Sequence, residues 1–197
     1  MKAGAIILSG GKSSRMGTNK ALLELNDKTN IQRIFDEINK LTEHIVLVTN
    51  EPEMYDFLKI KTVADVYEGK GPLAGLHAGL LASESEVNLA VACDMPFVTA
   101  EAAEVLLKNI QAFDAVVPVI NGKRHPLFAA FDQRIIPQIE QVLEAGELRM
   151  MNLLEKLNVN YITEKDFQEF SASDLERIFF NMNLPEEYKE ARKWSEQ

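Results

Sequence analysis

The chain is 197 residues long, 46% apolar and 26% charged, with a formal net charge of −9. These values fit a soluble globular protein with a substantial core, of a length expected for one domain over 1–197, and no apolar run approaches the ~20 residues that span a bilayer. The acidic balance argues against nucleic acid as a main partner, because counterion release requires a basic surface.

The single cysteine, Cys93, rules out an internal disulfide and suits a reducing cytoplasm. The first apolar run is only a strand long and lacks a cleavage region, so no signal peptide is expected. That run, 3–8, has the length of a buried strand, and Ser9-Gly10-Gly11-Lys12 emerges where it leaves its sheet, the place at which open α/β sheets bind nucleotides. Gly10 and Gly11 allow backbone N–H groups to converge on phosphate oxygens. The first 23 residues carry Lys2, Lys12, Arg15 and Lys20 and no acid, so an acidic chain holds a local basic site suited to a small anion.

Further along, Ile31, Ile34, Phe35, Ile38 and Leu41 follow helical spacing, and strands are expected at 45–48 and 61–64. Pro72 suits the first turn of a helix, with Gly69 and Gly71 before it permitting a tight approach to a ligand. The apolar run 89–93 delivers Asp94 to the end of a central strand, ahead of Met95-Pro96. Thr99 caps a helix that carries Val105, Leu106 and Ile110. Runs at 115–119 and 127–131 flank Asn121-Gly122, a pair that favours a type I′ turn, so an antiparallel excursion interrupts the pattern there. Ile136, Ile139, Val142 and Leu143 form another helix, stopped by Gly146, and 186–197 reads as a polar surface helix with a frayed end. Strands alternating with helices predict an α/β fold with a mostly parallel sheet covered on both faces.

After the glycine-rich loop, Asp94 is the next candidate for chemistry. A carboxylate beside phosphates can hold Mg²⁺, which prefers one or two carboxylates, waters and substrate oxygens; its alternative is a turn or N-cap aspartate ahead of Pro96. Cys93 reads as a packing residue, since none of His44, His77 and His125 has the context of a dyad.

The string Leu8-Ser9-Gly10-Gly11-Lys12-Ser13-Ser14-Arg15-Met16-Gly17, followed by Lys20, is not a Walker loop, whose first glycine would fall on Ile6. Nor is it a dinucleotide fingerprint, because Gly10 and Gly11 are adjacent. It closely resembles the signature loop of nucleotidyltransferases that act on the molybdenum cofactor, the guanylyltransferase family above all. Cys93-Asp94-Met95-Pro96, Gly71-Pro72-Leu73-Ala74-Gly75 and Asn181-Met182-Asn183-Leu184-Pro185-Glu186-Glu187 also resemble segments of that family, with Leu184 in place of a threonine. The likeness extends over nearly the whole chain.

This resemblance implies a single-domain Rossmann-like nucleotidyltransferase fold. It implies transfer of GMP from GTP to the phosphate of molybdenum-molybdopterin, with release of pyrophosphate, Mg²⁺ as cofactor and Asp94 as its ligand. Arg15, Lys20 and Asp94 become the catalytic set. Leu8, Ser9, Gly10, Gly11, Lys20, Asn50, Asp65 and Asp94 become the GTP site, and Asn181 and Asn183 the molybdopterin side, near His125-Pro126. For Asp65 a solvated loop acid, and for His125 a partnerless hairpin histidine, remain alternative readings. Other partners in this reading are molybdoenzyme apoproteins or further cofactor-biosynthesis proteins. The rivals are a cytidylyltransferase for the same cofactor, a sugar-phosphate nucleotidylyltransferase and a non-catalytic nucleotide or cofactor carrier. Gly10-Gly11 and Gly71-Pro72-Leu73-Ala74-Gly75 favour guanine by resemblance.

Overall fold

A computed structural model describes residues 3–9, 19–67 and 69–196. The chain runs from β1 (Ala3–Leu8) through a small hairpin, β2 (Glu24–Leu25) and β3 (Lys28–Thr29), into α1 (Asn30–Ile38), β4 (Ile45–Val48), β5 (Lys61–Val63), α2 (Gly71–Ala82) and β6 (Val87–Ala92). It continues with α3 (Ala100–Lys108), β7 (Ala115–Ile120), β8 (Lys123–Arg124), β9 (Phe128–Asp132), α4 (Ile136–Glu144), α5 (Met150–Leu154), β10 (Val159–Thr163), α6 (Ala172–Ile178) and α7 (Pro185–Ser195).

The main sheet has eight strands in the order β10-β7-β9-β6-β1-β4-β5, with β8 paired to β7. The pairs β1–β4, β1–β6, β4–β5 and β7–β10 are parallel, whereas β9 lies antiparallel between β6 and β7. Because side chains alternate along a strand, the apolar runs feed two cores. Ala5 and Ile7 face one with α1, α3 and α6; Ile6 and Leu8 face the other with α2, α4 and α5. This is the expected α/β sheet covered on both faces.

The predicted Asn121-Gly122 turn is present, with φ of 51° and 73° at its two residues. Its second arm, however, is the two-residue β8 and not the 127–131 run, which forms β9 on the other edge of β7. The hairpin pattern identifies a turn but cannot specify which edge a later apolar run joins. Gly146, at φ 75°, ends α4 as predicted, with its N–H on the Leu143 carbonyl and that of Glu147 on the Val142 carbonyl.

Two sequence expectations change. Helix α1 stops at Ile38, three residues short of Leu41, and starts from a capping box in which Thr29 and Gln32 satisfy each other's backbone. The C-terminal helix α7 is more than a polar surface tail. Ala191 is fully buried in a third core with Leu25, Phe97 and Met182, against which Tyr188 and Trp194 pack. Tyr188 Oη donates to the Glu24 carbonyl at 2.9 Å and Arg177 donates to the Trp194 carbonyl at 2.8 Å, so α7 is bound both to the β2–β3 hairpin and to α6.

Helix α2 is apolar around its circumference because it lies between the sheet and α4. Gly79 is where it crosses β1: a Cβ there would sit 2.3 Å from Ile6 Cγ2. Gly79→Ala is therefore expected to destabilise the protein by about 1–3 kcal/mol through overpacking, despite the better helix propensity of alanine. A lower denaturant midpoint by chemical unfolding is the expected readout, and an unchanged midpoint would contradict the close crossing.

Candidate active site

The site forms where the carboxyl ends of β1 and β6 lie side by side. From β1 the chain returns through β4 and β5 on one side, then crosses over α2 to β6 on the other, so neighbouring strand ends feed loops that diverge. Such a switch point leaves a crevice above the sheet. The Cys93 N–H donates to the Leu8 carbonyl at 3.0 Å, which carries the parallel pairing one residue past β6 and sets Ser9 beside Cys93-Asp94.

Lys20 stands in the short helical turn Lys20–Leu22, capped by Asn19. Its Nζ donates to Asn183 Oδ1 at 2.8 Å, across 163 residues of sequence. The Met182 N–H donates to the Asp94 carbonyl at 2.8 Å, so the 181–183 segment is bound to both predicted catalytic residues of the described chain. One Glu187 oxygen, Oε2, accepts the N–H groups of Asn183 and Leu184, at 2.5 and 2.8 Å. With leucine at position 184 no hydroxyl is available to cap α7, and the carboxylate of Glu187 does so. Met182 itself is fully buried and makes core contacts, as its residue type suggested.

Burial pushes the Asp94 carboxyl above the usual carboxylate range, opposed first by Lys20. A partly desolvated carboxylate next to a lysine favours a further positive ligand. Among the described residues no three His, Cys, Asp or Glu side chains gather as a metal cage. The Cys93 thiol is pushed up to about 12, by burial first and Asp94 second, which leaves it an inert neighbour as expected.

Asn50 and Asp65, predicted for the base side, do meet: Asn50 Oδ1 accepts the Asp65 N–H at 3.2 Å. Asp65 and Leu8 both border Gly75 of α2, where a Cβ would lie 3.1 Å from Leu8 Cδ2 and 3.6 Å from Asp65 Oδ1. Gly10, Gly11, Lys12 and Arg15 lie outside the described residues.

Asn181 and Asn183 line a cavity of about 300 Å³ with Lys123, His125, Phe179 and Glu187. His125 is buried, against the Phe179 ring at 5.0 Å. Burial, then Lys123, lower its pKa from 6.5 to about 4. Between those values the unfolded chain binds a proton that the native chain refuses, so stability should fall as pH drops from 6.5 toward 4. His125→Gln is expected to flatten this part of the profile, read as the difference between melting temperatures at pH 7 and pH 5; an unchanged slope would remove His125 as its source. A larger cavity, about 430 Å³, lies between α1 and α6 behind Phe97 and contains none of the predicted residues. Its Arg33 and Arg177 guanidiniums flank the Phe97 ring at 5.7 and 4.7 Å and brace the third core.

Sequence reading did not single out Tyr55 or Glu187 as site residues. Tyr55 sits on an unremarked turn, and Glu187 was visible only as part of a polar string.

A mostly parallel α/β sheet with a lysine, a carboxylate and two asparagines gathered at the carboxyl ends of β1 and β6 defines a nucleotide-handling enzyme of the nucleotidyltransferase type. The sequence model of the MobA-like NTP transferase domain matches residues 5–160, and the chain belongs to that family. It is 38% identical over 193 residues to a Peptoclostridium acidaminophilum protein named "Probable molybdenum cofactor guanylyltransferase", with 94% of this chain and 86% of that one covered. A protein of the same name from Pelotomaculum thermopropionicum is 33% identical over 100% of this chain and 95% of its own. Among solved structures, molybdopterin-guanine dinucleotide biosynthesis protein A of Archaeoglobus fulgidus superposes with a TM-score of 0.84, at 26% identity and 98% coverage of both chains. The 2-C-methyl-D-erythritol 4-phosphate cytidylyltransferase of Thermus thermophilus shares the fold, with a TM-score of 0.72 at 15% identity and 100% coverage of both chains. The protein is thus a nucleotidyltransferase. No helix among the described residues is long and apolar enough to cross a membrane.

Proposed function

We propose that this protein transfers GMP from GTP to the terminal phosphate of molybdenum-bound molybdopterin, forming the guanine dinucleotide cofactor and releasing pyrophosphate. The observation that carries this reading is the Lys20–Asn183 hydrogen bond, 2.8 Å long, because it joins the lysine of the nucleotide loop to the segment assigned to the second substrate. A transferase must hold both substrates in line, and shared contacts between their sites supply that orientation.

In this reading the acceptor phosphate attacks the α-phosphorus of GTP, and the bond to the bridging oxygen of pyrophosphate breaks. Lys20 and Arg15 neutralise triphosphate oxygens. Leu8, Ser9, Gly10 and Gly11 line the nucleotide at the end of β1, while Asn50 and Asp65 lie on the base side. Asn181 and Asn183 orient molybdopterin. Asp94 fits Mg²⁺ as a single, partly desolvated carboxylate completed by substrate oxygens and water. When bound, the cation would supply charge neutralisation at the transferring phosphate. The work would be done over 1–197 as one domain, in the cytoplasm, with molybdoenzyme apoproteins or other cofactor-biosynthesis proteins as onward partners.

The test is pyrophosphate release with molybdenum-molybdopterin as acceptor and GTP, ATP and CTP in competition. A polar pocket for the guanine edge should favour GTP by about tenfold or more, since mismatched bases leave buried groups unpaired. A kcat/KM for CTP equal to that for GTP would make the protein a cytidylyltransferase. Activity with sugar 1-phosphates alone would discard the cofactor acceptor, and binding without turnover would leave a carrier.

A further inference from the structure

Tyr55 lies on the turn Pro52–Leu58 that follows β4, far in sequence from the signature loop, and its side chain is 1% exposed. Its phenol oxygen accepts two hydrogen bonds, from Ser9 Oγ at 2.6 Å and from Asn19 Nδ2 at 2.8 Å. Ser9 directly precedes the stretch 10–18 and Asn19 directly follows it. The same Asn19 side chain accepts the Ala21 N–H at 3.0 Å and so caps the turn that carries Lys20. One buried oxygen therefore sets the entry to the signature loop, its exit and, through Asn19, the base of Lys20.

We infer that Tyr55 is a positioning residue for nucleotide binding, a clamp that holds Ser9 and Lys20 at a separation suited to GTP. This rests on the reading of Ser9 and Lys20 as nucleotide contacts. A purely packing role would need the ring but not the hydroxyl. The ring fills the first core; the hydroxyl instead satisfies two polar groups that belong to the site. Burial raises the Tyr55 pKa, consistent with a neutral phenol. Both bonds are internal to the protein and join residues on either side of the signature stretch, so their loss should appear in affinity more than in the chemical step.

Tyr55→Phe keeps the ring and removes the oxygen. Isothermal titration of GTP with Mg²⁺ into the full chain is expected to give a roughly tenfold weaker Kd, the size associated with one or two neutral hydrogen bonds. KM for GTP should rise in parallel, with kcat at saturation within about twofold. In an Asn19→Ala background, Tyr55→Phe should add less than half of its effect on Kd, because the two residues act through one network. Lys20→Ala serves as the reference for the site itself. If it weakens GTP while Tyr55→Phe leaves Kd unchanged, or acts in full on top of Asn19→Ala, the clamp is overturned and the site stands. If Lys20→Ala leaves GTP affinity untouched, both fall. Melting temperatures of the variants separate these outcomes from misfolding.

Discussion

Asp94→Asn should lower pyrophosphate release by about 10²-fold or more, because the substitution keeps the shape of the side chain and removes the charge proposed to hold a cation against the transferring phosphate. The fold should survive, since the Asp94 group that binds the 181–183 segment is its backbone carbonyl, accepting from Met182 N–H at 2.8 Å. Asp94 is already carried above the ordinary carboxylate range by burial, with Lys20 as the first opposing charge. Its ionised form is therefore held by positive neighbours, and a divalent cation would be the strongest of them. Rates measured across a Mg²⁺ titration should show both a lower maximum and a higher cation requirement. Near-normal pyrophosphate release from Asp94→Asn at moderate Mg²⁺ would sink the assignment.

Lys20→Ala is expected to reduce kcat/KM for GTP by about 10²–10³-fold, the scale seen when a preorganised charge facing a transferring phosphoryl group is lost. Alanine removes the ammonium proposed to face triphosphate and the bond to Asn183 Oδ1, while the backbone carbonyl still accepts from Asn30 Nδ2 at 2.8 Å. The turn should therefore persist. Asn183→Ala removes only the tie between the two sides and should cost less than Lys20→Ala, with the double variant close to Lys20→Ala alone. Additive losses would mean that the two residues act separately, and an unchanged kcat/KM in Lys20→Ala would move the triphosphate elsewhere.

Much of this protein was legible before any coordinates. The apolar run 3–8 is a central strand because its odd and even residues both needed burial, and the sheet supplies one core for each. The Asn121-Gly122 turn, the Gly146 stop and the Thr99 cap follow from backbone chemistry confined to a few residues, which is why they appear where expected. The placement of Asp94 just past the end of β6 was equally local.

Tertiary structure decided what depends on distance in sequence. No periodicity could tell that 127–131 inserts between β6 and β7 instead of completing the Asn121-Gly122 hairpin, because strand order is set by competition among edges. The polar pattern of α7 concealed Ala191, Tyr188 and Trp194, whose burial needs partners contributed by the β2–β3 hairpin and Phe97. Asn50 and Asp65 were each ambiguous as single loop residues, and only the adjacency of β4 and β5 brings the Asn50 amide oxygen onto the Asp65 N–H. Tyr55 had no local signal at all. A phenol becomes informative only when the fold buries its ring and leaves its oxygen between Ser9 and Asn19, since an unpaired polar group in that place would destabilise the folded state. Local residue chemistry thus determined the strands, turns and caps, and the long-range pairing of strands determined which side chains face one another across the site.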